Sequence, residues 1–113
     1  MDLNMTLYHG TSWQNAQGIQ RNGFKPSSCG CLGAGVYFAN RDKAVRYAKY
    51  RGEPTLVTAD VTARVMKRVC GNDYSWQRDG YDACHTTRTS ASCEPEWCVK
   101  NASQIVVRSV QRL

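Results

Sequence analysis

The sequence predicts an α+β domain, two helices set among about six short strands, and three observations lead there. Two windows, starting near Trp13 and Arg41, carry apolar residues at helical spacing behind a capping residue. Elsewhere, runs rich in Val, Thr, Tyr and Phe alternate with Gly, Pro and Ser clusters. No internal repeat, low-complexity tract or linker interrupts the pattern, and 113 residues suffice for one core that buries roughly two-thirds of the unfolded surface. Residues 1–113 are therefore expected to form a single domain.

Met5 to Tyr8 reads as a short strand broken by Gly10. Ser12 stands where an N-cap belongs, ahead of Trp13, Ala16 and Ile19 on one helical face, and Gly23 supplies the stop. Lys25 to Ala34 is turn chemistry, predicting an exposed loop. Val36 to Ala39 predicts a buried strand, and Asn40 caps a second helix running to about Tyr50, with Ala44, Tyr47 and Ala48 on one face and Pro54 marking the break. Thr55 to Thr62 and Arg64 to Val69 are β-rich. The polar stretch from Gly71 to Pro95 holds a short strand near Tyr81 to Ala83, and Trp97 to Val99 and Ile105 to Val110 are strand-like again.

Fifteen Lys and Arg against nine Asp and Glu give a formal charge of +6, which favours phosphate-rich partners or simply keeps the chain in solution. The opening Met1-Asp2-Leu3-Asn4-Met5-Thr6 has neither the basic nor the apolar region of a signal peptide, and no run approaches the roughly 20 apolar residues of a membrane span. An intracellular, cytoplasmic protein with no membrane contact is expected. In that setting the six cysteines (Cys29, Cys31, Cys70, Cys84, Cys93 and Cys98) read as free thiols. Cys29 and Cys31 are too close for an unstrained bridge, and their pairing with Cys84-His85 falls short of a zinc-site spacing, so no metal is expected.

Three pieces carry the chemistry: Leu7-Tyr8-His9-Gly10-Thr11, Gly35-Val36-Tyr37-Phe38-Ala39, and Glu96-Trp97-Cys98-Val99 running into Gln104-Ile105-Val106. Singly each is commonplace. In this order they resemble the His-Tyr-Glu signature of the poly(ADP-ribose) polymerase-like ADP-ribosyltransferases, from about Leu7 to Val110. The resemblance implies short, mostly antiparallel strands in two packed sheets, and NAD as donor substrate. Cleavage of the nicotinamide-ribose bond develops oxocarbenium character that a carboxylate stabilises; Glu96 is the candidate, with Glu94 two residues away on the same strand face. The resemblance assigns His9 to a ribose hydroxyl, Gly10 to the carboxamide, Tyr37 and Tyr47 to the two faces of the nicotinamide ring, and Phe38 to the same pocket. It gives Thr11 and Asn15 adenosine-ribose contacts, although either could equally cap the first helix. Ala44 departs from the pattern, standing where many members carry a serine that hydrogen-bonds the carboxamide.

Further pieces, Gly23-Phe24, Leu32 to Tyr37 and Gly80-Tyr81-Asp82, are similar to the small stand-alone Gig2-like proteins, and an antiviral role is implied by that resemblance alone. The loop from Lys25 to Ala34 is short and carries no second acidic motif, so transfer of single ADP-ribose units to a protein or nucleic-acid acceptor is expected. Two other readings stand beside it: a module that binds NAD or ADP-ribose without turnover, and an RNA binder built on Arg64, Lys67, Arg68, Arg78 and Arg88 with Tyr74 and Trp76 interleaved. For that basic run, a solvated face is the plainer reading.

Overall fold

The computed structural model describes residues 2–88 and 94–113. Its elements are β1 (Leu3–Ser12), α1 (Trp13–Asn22), β2 (Val36–Ala39), α2 (Arg41–Ala48), β3 (Pro54–Ala63), β4 (Met66–Val69), β5 (Ala83–Thr86), β6 (Glu96–Val99), a 3-10 turn (Ala102–Gln104) and β7 (Ile105–Arg112). The strands form one seven-stranded sheet in the order β4-β5-β6-β2-β1-β3-β7, antiparallel except for β4–β5.

Two packed sheets were expected, and one is found. β1 and β3 pair along their whole length, from Leu3↔Ala63 to Ser12↔Pro54, with β7 beyond β3, while β2, β6, β5 and β4 form a second group of four-residue strands. A single pairing, Tyr8↔Ala39, joins the groups edge to edge, which makes them halves of one sheet, and residues of both halves share the main core. Past that pair β1 and β2 separate. In place of the next ladder bond, the His9 imidazole Nδ1 lies 2.9 Å from the Tyr37 carbonyl oxygen.

Local signals set both helices. Ser12 Oγ accepts from the Asn15 amide at 3.2 Å and Asn40 Oδ1 from the Lys43 amide at 2.9 Å, caps worth about 1 kcal/mol each. Gly23, at φ 80, closes α1. The second helix ends at Ala48, short of Tyr50. β1 does not break at Gly10 but runs on to Ser12, because β3 pairs with every residue of it. Gly10 is instead where α2 docks: a Cβ there would stand 2.0 Å from the Ala44 carbonyl oxygen.

Strand alternation gives β6 buried residues on both faces, and β2 one buried and one half-buried face. Val36, Phe38, Trp97 and Val99 join Leu7, Phe24, Val57 and Val61 in the main core. Cys98 and Cys84, paired across β5 and β6, pack with Leu32 and Trp76 on the other face, where Tyr37 also lies. The strand expected at Tyr81–Ala83 sits at Ala83–Thr86. Asp82 is occupied otherwise, its carboxylate accepting from the Arg64 and Val65 amides at 3.0 and 2.9 Å to hold the β3–β4 turn. No helix among the described residues is long and apolar enough to cross a membrane.

Candidate active site

Where β1 and β2 part, a cleft of about 1060 Å³ opens. His9, Gly10, Thr11, Asn15, Tyr37, Phe38, Ala44, Tyr47 and Glu96, every site residue expected from the sequence, line it. The split explains how. His9 shares a strand face with Leu7 and meets Phe24 and Phe38 edge-on, at ring-centroid distances of 5.2 and 6.2 Å. Tyr37 and Glu96 lie on the opposite face, with Cys98. An unbroken ladder between β1 and β2 would keep these side chains on opposite sides of a wall; the gap lets one cleft reach both.

The Tyr37 carbonyl can only accept, so His9 Nδ1 carries the hydrogen. Burial lowers the imidazole's pKa against the upward pull of that bond, and the nearby Arg51 charge lowers it further. A neutral ring protonated at Nδ1 leaves Nε2 as a lone-pair acceptor.

Glu96 opens β6 opposite Ala39. Its Oε2 pairs with Lys43 Nζ at 2.8 Å, and its Oε1 accepts from Cys31 Sγ at 3.5 Å. Neither partner is a residue that the sequence reading singled out for the site. Lys43 comes from the first turn of α2 and Cys31 from the loop before β2. Burial, then the Glu96 carboxylate, pushes the Cys31 thiol up to about 11, so it stays protonated and donates. Glu94, the nearby alternative, does not line the cleft and pairs with Arg46 on the outer side of α2.

The Tyr37 hydroxyl accepts from the Leu32 amide at 2.9 Å and donates to the Gly33 carbonyl at 2.5 Å. These bonds pin the loop from Lys25 to Ala34 over the cleft, and Gly30 is needed there because a Cβ would fall 2.4 Å from the hydroxyl. Burial, with the neighbouring Cys98, raises the Tyr37 pKa far above the usual tyrosine value. Tyr47 is half exposed, with the Arg51 guanidinium 4.8 Å from its ring centroid and hydrogen-bonded to its hydroxyl. Phe38, 2% exposed, supports His9 from within the core and offers no open face. Thr11 is buried beside the cleft. The cap of α1 falls to Ser12, with Asn15 contributing only its amide to it.

Arg21, Lys25 and Arg51 also line the cleft, and no carboxylate of the described residues lies within ion-pair distance of them. The central basic stretch is less available. Lys67 pairs with Asp73 at 2.8 Å, and Trp76 is 1% exposed with its indole nitrogen donating to the Leu32 carbonyl at 2.6 Å, so it cannot stack on a base. Cys29, Cys31, Cys70, Cys84 and Cys98 are free, while Cys93 lies outside the described residues. Among the described residues no three His, Cys, Asp or Glu side chains converge as metal ligands would.

The cleft in the split sheet thus brings together a neutral histidine, a fixed tyrosine, a lysine-held glutamate and cations that pair with no carboxylate among the described residues. The model of the family described as "Poly(ADP-ribose) polymerase catalytic domain" matches residues 2–107, and the chain belongs to that family of NAD-using ADP-ribosyltransferases. No curated protein matches the chain.

Proposed function

We propose that this protein cleaves NAD between nicotinamide and ribose and transfers single ADP-ribose units to a protein or nucleic-acid acceptor. The observation that carries the reading is the Glu96 carboxylate held by Lys43 in the same cleft as His9 and Tyr37. Held at Oε2, the carboxylate keeps one orientation, and Oε1 is left to accept from a hydroxyl of the nicotinamide ribose in place of the Cys31 thiol. As the glycosidic bond stretches, the negative charge beside the sugar offsets the positive charge that grows at the anomeric carbon. The acceptor oxygen or sulfur bonds to that carbon, nicotinamide leaves with the bonding pair, and the acceptor's proton passes to Glu96 or to solvent. Through its free Nε2, His9 accepts from a hydroxyl of the adenosine ribose. Gly10 meets the carboxamide through its backbone, and Arg21 and Lys25 supply charge for the diphosphate.

Single-unit transfer is favoured by a loop that the Tyr37 hydroxyl ties down and that carries no carboxylate. A non-catalytic NAD- or ADP-ribose-binding module is the second reading, favoured by Ala44, which has no hydroxyl to offer the carboxamide. Incubating the protein and its Glu96→Ala variant with NAD labelled in the adenylate part decides between them. Transfer predicts nicotinamide release and labelled acceptor that fall a hundredfold to ten-thousandfold, roughly, in the variant. Saturable binding without release would leave only the binding module. Equal activity in both proteins would remove Glu96 from its role.

A further inference from the structure

The part of the cleft beside Tyr47, which the ADP-ribosyltransferase reading gives to the nicotinamide ring, holds a cation that this reading does not use. Arg51 lies three residues beyond the end of α2 and lines the cleft together with Ala44 and Tyr47. Its guanidinium stands over the Tyr47 ring, 4.8 Å from the centroid, and donates to the Tyr47 hydroxyl. This geometry holds the group in place, yet no carboxylate among the described residues neutralises it. Around it the pocket has little else to offer an aromatic ring's substituent: Ala44 has no polar side-chain atom, and at Gly10 only backbone is present.

A positively charged pyridinium entering beside Tyr47 meets this fixed positive charge, and the two repel. A pyridinium that carries a carboxylate in place of a carboxamide is neutral overall. It presents two coplanar oxygens to a planar fork of N–H donors, the arrangement guanidinium binds best. We propose that Arg51 is a specificity residue that makes the ring end of this cleft prefer a pyridine-3-carboxylate, the nicotinate form of the dinucleotide, over the carboxamide of NAD. The inference rests on the cleft being the dinucleotide site of the transferase reading and adds to it the substituent that the ring end selects.

Dissociation constants of nicotinic acid adenine dinucleotide, NAD and ADP-ribose, measured by calorimetry on the wild-type protein and on Arg51→Met, test this. Methionine keeps the length and the apolar packing over Tyr47 while removing charge and donors. ADP-ribose, which lacks the ring, reports on the rest of the cleft and on folding. The expected result is about tenfold or more tighter binding of the acid dinucleotide than of NAD to the wild type, with near parity in Arg51→Met. Equal or tighter binding of NAD by the wild type, with ADP-ribose still bound, would overturn the role of Arg51 and leave the transferase reading standing. A preference for the acid that survives in Arg51→Met would overturn it too. Failure of all three ligands to bind the wild type would bring down both readings.

Discussion

The two halves of the sheet are built on different principles. β1 and β3 are ten-residue strands paired throughout and β7 continues the ladder, so backbone hydrogen bonds and the packing of Leu7, Val57 and Val61 define that half. β2, β4, β5 and β6 are four residues each. Strands that short are fixed by side chains that reach across the chain: the Tyr37 hydroxyl to the Leu32–Gly33 backbone, the Trp76 indole to Leu32, the Asp82 carboxylate to the Arg64 and Val65 amides. The long half supplies a frame and His9. From the short half come Tyr37 and Glu96, and the cleft lies at the seam, where a change of a few tenths of an ångström on one side alters what both can hold together.

Gly10→Ala strikes the seam most directly. The added Cβ would fall 2.0 Å from the Ala44 carbonyl oxygen and 3.0 Å from the Ala48 amide nitrogen, both backbone atoms, so α2 has to move off β1. Overpacking of this kind costs about 1–3 kcal/mol. It also carries Lys43 away from Glu96, so activity should drop by more than the loss of folded protein explains. A urea midpoint and a nicotinamide-release rate on the same preparation read both effects; wild-type values for both would mean that the helix does not depend on this approach.

Tyr37→Phe sharpens the contrast between the halves. It removes both hydroxyl bonds while keeping the ring, and frees the Leu32 amide and the Gly33 carbonyl, an expected loss of about 1–2 kcal/mol. Amide hydrogen exchange should accelerate from Ser27 to Gly35 and stay unchanged between β1 and β3. Uniform acceleration would show that the halves unfold as one unit and that the contrast has no energetic counterpart.

What was legible in the sequence follows the same division. Ser12 and Asn40 were readable as caps because a cap acts three residues away, and both make the expected bonds. Val36 to Ala39 was readable because it is an uninterrupted apolar run, with Val36 and Phe38 buried and the other face half-buried. The continuation of β1 through Gly10 was not, since β3 imposes it from more than forty residues away. Trp76, placed among basic residues, invited a base-stacking role that its burial excludes. At the site, the resemblance named residues that do line one cleft. It did not name Lys43 or Cys31, whose partner Glu96 lies 53 and 65 residues further along. Arg51 stayed invisible for a related reason: nothing in the local sequence says that a guanidinium will stand on Tyr47.

The smallest expected change in stability is with pH, and it bears on the histidine of the frame. Burial lowers the pKa of His9, and His85 is shifted the same way by its own burial. The unfolded chain therefore binds protons that the folded one does not, in a window below the ordinary histidine value of about 6.5. Stability is fully present above that value and declines as the pH falls through it. Ligand affinity should fall in the same window, because a protonated Nε2 becomes a donor and can no longer accept from a ribose hydroxyl. His9→Gln keeps a donor for the Tyr37 carbonyl but cannot titrate, so its stability profile should be shallower than wild type, with the His85 contribution remaining. Should the two profiles coincide, the long half would be indifferent to the charge on His9. The pH response would then belong to His85, stacked on Trp97 at 4.5 Å in the short half, and titration would discriminate between the two regions as cleanly as Tyr37→Phe does.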